Sequence, residues 1–173
     1  MLAIRNGDEA AFEVLMGRHI DALYRYALRL SHSHALAEDL TQETWLSVWE
    51  NTSSFKPHKA SLKTWLFRVL HNKFIDVIRK YKIESPDDHA PEPHGHELDY
   101  LADKQRDQEE LFRDIGELPE QQRAAILLAY AQGFGNKDIA NILGVTVRAT
   151  ESLLGRARRT LKSKFDLRTK SNE

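Results

Sequence analysis

Lys137-Asp-Ile-Ala-Asn-Ile-Leu-Gly-Val-Thr-Val-Arg-Ala-Thr-Glu-Ser-Leu-Leu-Gly-Arg-Ala-Arg-Arg159 reads as a helix, a tight turn and a second helix with a basic tail. Ala140 is small where two helices must cross closely, and Gly144 accepts the positive φ that ends the first of them. Val145 and Leu153 are placed to pack the second helix back on the first. That second helix projects Arg148, Glu151, Ser152 and Arg156 outward, an arrangement suited to the major groove of DNA. Helix-turn-helix patterns also occur in proteins that bind no DNA, so the rest of the chain has to decide.

Working outward, nearly all of the chain carries helical periodicity, which predicts an all-α protein. Asp8 caps a first helix with the stripe Phe12, Leu15, His19, Leu23, Tyr26 and Leu30. Ser33 caps a second, running from about residue 35 to 49, and Pro57 with the small polar residues 51–54 marks a loop. Ser61 starts a third, running to about residue 82. Ser85-Pro-Asp-Asp-His-Ala-Pro-Glu-Pro-His-Gly-His96 then combines prolines, a glycine and acids that build no core, so it reads as a flexible linker. Helix resumes near Leu98, and Leu118-Pro119 restarts it with proline in the first turn. Gly133-Phe-Gly135 reads as a turn ahead of the helix-turn-helix, lacking the spacing of a phosphate-binding loop.

The formal net charge of -1 conceals a strong asymmetry. Segment by segment it is about +3 over residues 1–83, about -8 over 84–110 and about +4 over 111–173. The reading is therefore two small helical domains, 1–83 and 111–173, joined by an acidic connector. Cysteine is absent, which removes disulfides and thiolate metal sites. No stretch approaches the ~18 apolar residues of a membrane span, and Arg5, Asp8, Glu9 and Glu13 interrupt any signal-peptide core, so a cytoplasmic protein without membrane insertion is expected. His89, His94 and His96 stand near Asp87, Asp88 and Glu92, but flexible ligands lose ordering entropy on binding. They are read as linker, with no metal and no cofactor expected.

Two helices before the linker carry opposite charge. In the third, Leu66, Val69 or Leu70, Phe74, Val77 or Ile78 and Tyr81 form the apolar stripe, and Arg68, Asn72, Asp76 and Arg79 or Lys80 line the other side. Residues 54–82 hold about eight basic residues, Lys63 and Lys73 among them, against Asp76 alone, with Phe55, Trp65 and Phe67 interleaved. Basic side chains follow phosphates and aromatic ones stack on unpaired bases, so the mixture suits a strand being opened. A solvated basic face over core aromatics is the competing reading. In the second helix Leu36, Leu40, Thr44 and Val48 face inward and leave Asp39, Gln42, Glu43 and Leu46 outside. Acids in a helix's first turns also favour its dipole, so this strip is either structural or a docking face for a basic partner.

The ordered set Gly7-Asp8 with Ala11-Phe12, Ala37-Glu-Asp-Leu-Thr-Gln-Glu-Thr-Trp-Leu46, Thr64-Trp-Leu-Phe-Arg-Val-Leu-His-Asn-Lys-Phe-Ile-Asp-Val-Ile-Arg79, Leu118-Pro with Gln122-Arg123, and Asp138-Ile-Ala through Arg159 resembles the extracytoplasmic-function sigma factors. These are small members of the sigma-70 family, the promoter-specificity subunits of bacterial RNA polymerase. The resemblance implies that Asp39, Gln42, Glu43 and Leu46 bind the polymerase core. It implies that Lys63, Trp65, Arg68, Asn72, Lys73, Asp76, Arg79 and Lys80 recognise and melt the -10 element. The -35 element falls to Lys137, Thr146, Arg148, Glu151, Ser152, Arg156, Arg158 and Arg159. RNA polymerase core, promoter DNA and an anti-sigma factor are the expected partners, and the acidic connector would thread a basic channel of the polymerase.

The pattern departs from the family in one place that matters: Ala149-Thr-Glu-Ser152 stands where relatives carry Thr-Val-Lys-Ser, so Thr150 occupies a usually aliphatic position and Glu151 replaces a cation. A carboxylate repels phosphate but accepts a hydrogen bond from cytosine N4. Opening about ten base steps costs on the order of 14 kcal/mol, more than the roughly 4 to 10 kcal/mol by which specific DNA binding exceeds non-specific. The polymerase would have to supply the difference. A helix-turn-helix regulator acting without polymerase leaves the second and third helices unexplained, and no constellation of an enzyme appears.

Overall fold

The structure, a computed structural model, describes residues 1–84 and 104–171. They form α1 (Leu2–Arg5), α2 (Glu9–Ser31), α3 (His34–Glu50), α4 (Leu62–Glu84), α5 (Lys104–Gly116), α6 (Glu120–Ile126), α7 (Asn136–Leu143) and α8 (Val147–Ser171). No strand occurs among the described residues, and the all-α expectation holds.

Helix starts follow local chemistry. The Asp8 carboxylate accepts from the Ala11 N–H at 2.9 Å, Ser33 Oγ from the Leu36 N–H at 3.2 Å and Ser61 Oγ from the Thr64 N–H at 3.0 Å. Thr146 does the same for α8, accepting from the Ala149 N–H at 3.1 Å. Each bond satisfies a donor the first helical turn otherwise leaves orphaned. Gly144, at φ 66°, ends α7 and turns the chain into α8, as its place in the sequence predicts.

Three differences from the sequence reading have simple causes. Pro119 sits at the N-cap of α6 rather than in its first turn, with ψ 140° still extended. The α5 helix begins inside the stretch read as connector, while the resumption near Leu98 and the linker histidines lie outside the described residues. Phe67, counted among aromatics able to stack on bases, is fully buried. It faces Tyr26 at 5.4 Å between centroids, because the α4 stripe is wide enough to take in a residue beside Leu66 and Leu70.

Helices α2, α3 and α4 pack around Leu23, Ala27, Leu30, Leu40, Val48, Leu70 and Phe74. A second group, α6, α7 and α8, encloses Ala125, Leu128, Ile139, Ile142, Leu154 and Ala157. Between α6 and α7 the chain widens into a π-helical turn, Leu127–Ala131, in which Gln132 N–H reaches back to the Leu127 carbonyl at 3.2 Å. The two groups are joined by one continuous apolar core, with α4 lying against α7. The far end of α8 is tied to α5 and the turn after it, where Arg168 pairs with the buried Asp114 of α5 and Lys164 with Glu117 just beyond the helix.

The N-terminal core holds one buried polar pair, Tyr26 Oη and His71 Nδ1 at 3.2 Å. Burial lowers the His71 pKa from 6.5 to about 4. The unfolded chain therefore binds more protons between these values, so stability is complete above pH 6.5 and falls as pH drops toward 4. At 1.36 kcal/mol per unit the loss from this group approaches ~3 kcal/mol. Thermal unfolding followed by circular dichroism should show a Tm that drops between pH 7 and 4.5, and His71→Gln, which does not titrate, should reduce that drop, leaving the part due to His32, whose pKa burial and the neighbouring Arg123 likewise lower to about 4. Equal slopes for both proteins would remove His71 as its origin.

Candidate nucleic-acid interface

The α3 helix buries Leu40, Thr44 and Val48 and turns Asp39, Gln42 and Glu43 outward, with Leu46 61% exposed. Asp39 and Gln42 make no hydrogen bond or ion pair among the described residues. Glu43 meets Lys73 of α4 at 3.4 Å, a surface pair worth about 1 kcal/mol or less. Beside this strip, Leu36, Asp39, Leu40, Glu43, Val77, Lys80 and Tyr81 line a shallow groove of about 290 Å³ between α3 and α4. An apolar floor with carboxylates on its rim is suited to a helix that brings arginines and an aliphatic side chain.

Of the eight α4 residues singled out from the sequence, Lys73 is the partner of Glu43 already described, and the other seven fall into three groups. Asn72, Asp76, Arg79 and Lys80 are exposed toward the C-terminal half of the helix, where Arg79 pairs with Asp76 at 2.8 Å. Trp65 is half-buried with its ring 5.5 Å from that of Phe55, so it is packed rather than presented. Lys63 and Arg68 are engaged elsewhere: Lys63 Nζ donates to the Gln132 carbonyl at 2.6 Å, and Arg68 donates to Asn141 Oδ1 at 2.9 Å. Lys63 also helps lower the pKa of the half-buried His19, after burial as the main cause.

On α8, Thr150, Leu153, Leu154 and Ala157 face the core, which leaves Arg148, Glu151, Ser152 and Arg159 on the outward side at helical spacing. Thr150 tolerates its buried position by donating its hydroxyl to the Thr146 carbonyl at 3.3 Å. Arg148 and Glu151 have no hydrogen bond or ion pair among the described residues, and Lys137 stands exposed on α7. Arg156 and Arg158 leave the outward row on opposite flanks. Arg158 Nε donates to Tyr130 Oη at 2.9 Å, which holds it beside a ring that is itself 66% exposed. Sequence reasoning gave Tyr130 and Asn141 no individual role, and took Phe134 only as part of a turn and Asp138 only as part of the helix-turn-helix motif. Only Phe134, an aromatic flanked by glycines, carried a local signal.

Comparison with known proteins joins these surfaces to one family. Sigma-70 region 2 matches residues 15–83 and Sigma-70 region 4 matches residues 109–161. The ECF RNA polymerase sigma factor SigM of Bacillus subtilis is 31% identical over 150 residues, covering 86% of this chain and 91% of the relative. SigE of Mycolicibacterium smegmatis is 31% identical over 171 residues, and there the match covers 90% of this chain but 63% of the longer relative. The solved structure of the sigma factor RpoE in complex with the anti-sigma factor NepR from Bartonella quintana superposes with a TM-score of 0.73. It is 30% identical, with 90% of this chain and 97% of that chain covered. With both regions present in order and near-full-length relatives of one kind, the chain belongs to the extracytoplasmic-function branch of the sigma-70 family, the promoter-specificity subunits of bacterial RNA polymerase.

Proposed function

We propose that three helix faces divide the work of this sigma subunit. Asp39, Gln42, Glu43 and Leu46 on α3 dock on the polymerase core. The outer side of α4, centred on Asn72, Asp76, Arg79 and Lys80, recognises and opens the -10 element. The outward row of α8 reads the -35 element, with Lys137 and Thr146 near its start and Arg156, Arg158 and Arg159 following the backbone. The observation that carries this reading is the bare row of α8: arginine, carboxylate and hydroxyl side chains project from a helix whose other side is sealed, and Arg148 and Glu151 have no partner among the described residues. A partner of the anti-sigma class follows from the RpoE relative, and the protein's place is the cytoplasm, where polymerase and promoter are. It acts by binding, not by turning over a substrate.

Run-off transcription by purified core polymerase, with and without the chain, tests the reading. Initiation at new start sites is expected only when both are present. Activity as a free DNA-binding regulator, with no association with core, would overturn it. The departure at Glu151 sharpens the test. Glu151→Lys exchanges an acceptor for a donor, which favours guanine O6/N7 over cytosine N4 by about 1 to 3 kcal/mol. A promoter library selected with this variant should return a changed -35 preference, whereas Arg156→Ala and Arg158→Ala should weaken all sequences alike and reduce the salt dependence. Uniformly tighter binding by Glu151→Lys would place that carboxylate beside the phosphates instead of a base.

A further inference from the structure

Tyr130 is the most exposed aromatic side chain among the described residues, with 66% of its surface open. Local spacing alone would bury it. Tyr130 follows Ile126 by four residues and Leu127 by three, and both are buried, so an unbroken α-helix would stack the ring over them. The π-helical turn Leu127–Ala131 takes an extra residue instead and rotates the ring off the core. The ring comes to rest against α8, where its hydroxyl accepts the Nε–H of Arg158 at 2.9 Å and the guanidinium carbon lies 5.8 Å from the ring centre. Arg158 makes no other hydrogen bond or ion pair among the described residues, so both Nη groups of its fork stay open.

We propose that Tyr130 is a positioning residue of the DNA interface: it fixes the Arg158 guanidinium against one wall of the major groove and leaves the Nη end for a backbone phosphate. The proposal rests on the reading of α8 as the -35 helix. A helix with its side chains is about 10–12 Å across and the groove about 12 Å wide, so a seated α8 meets a sugar-phosphate backbone on each flank. Arg156 and Arg158 leave the helix on those two flanks. Arg156 Nε turns back to the Ser152 carbonyl of its own helix at 3.4 Å, whereas Arg158 is held from outside by another element. A guanidinium recognises phosphate as a planar fork, and one whose stem is already tied loses less rotamer freedom on binding. A structural tie explains the pair poorly, since both partners are exposed and a hydrogen bond open to water contributes little to folding.

Tyr130→Phe keeps the ring and removes only the acceptor. In holoenzyme assembled from core polymerase and the full chain, it should lower affinity for a labelled promoter fragment about three- to tenfold, the cost of immobilising one rotamer-rich side chain at binding. The loss should be the same for every -35 sequence, and the Tm of the free chain should not change. A pair of double-mutant cycles isolates the role. Combined with Arg158→Ala, which removes the group being positioned, Tyr130→Phe should have no further effect. Combined with Arg156→Ala on the opposite flank, the two losses should add. Tyr130→Ala, which also removes the stacking surface, should weaken binding at least as much and couple to Arg158 in the same way.

A loss from Tyr130→Phe that is just as large without Arg158, or no loss at all while Arg158→Ala weakens binding, overturns the positioning role and leaves the -35 reading of α8 standing. A Tm that falls together with the affinity would make Tyr130 a structural tie instead. Failure of the underlying reading looks different. Arg156→Ala and Arg158→Ala would then change neither promoter affinity nor its salt dependence, and the positioning role would fall with it.

Discussion

Replacing Asp39, Gln42 and Glu43 together by alanine is expected to lower affinity for core polymerase about 1,000-fold without loss of helix. A charged contact truncated in a desolvated interface costs about 2 kcal/mol or more, and two such carboxylates give ~4 kcal/mol, close to three decades in Kd. Nothing in the fold opposes the change. Asp39 and Gln42 are exposed and without intramolecular bonds among the described residues, and Glu43 gives up only its surface pair with Lys73. Alanine is moreover the better helix former at all three positions. Fluorescence titration of labelled chain against core, with circular dichroism of the variant alongside, measures both. Unchanged affinity would return the acidic strip to an ordinary solvated face whose acids favour the helix dipole.

Asn72→Ala with Arg79→Ala should reduce open-complex formation by between about 10- and 100-fold while leaving closed-complex binding nearly intact. Edges of extruded bases become available only after unstacking, so contacts to them stabilise the open state alone, at about 1 to 3 kcal/mol for a good bidentate pair. Both side chains are exposed, and the Arg79 pair with Asp76 across one helical turn contributes little to the fold. A template already unpaired over the -10 region should therefore restore most of the lost activity. Permanganate reactivity of unpaired thymines reports opening, and a gel shift at low temperature reports the closed complex. Equal loss on duplex and pre-opened templates would move the DNA-opening function away from this face.

Helix identity, caps and surface charge were legible in the chain because they are local. Asp8, Ser33 and Ser61 announced three helix starts through the donors that a first turn leaves bare, and Gly144 announced the turn of the helix-turn-helix through its positive φ. The α3 strip was equally plain, since a period of 3.6 separates Leu40, Thr44 and Val48 from Asp39, Gln42 and Glu43 whatever lies opposite. The resemblance of ordered motifs carried the family, which no single helix could have done.

What opposes a face is another matter, and there the tertiary structure decided. Thr64 and Asp138 are 74 residues apart, and no periodicity links them. Phe67 became core rather than a stacking platform because Tyr26 and Phe134 close on it from different parts of the chain. Lys63 and Arg68, which by charge alone belong with phosphate, are instead held by Gln132 and Asn141, and Arg158 by Tyr130. Helical spacing specifies which side chains share a face, but the partner of that face is set by how two helical groups pack. That packing depends on summed burial and on long-range polar pairs, neither of which is encoded within one turn of helix.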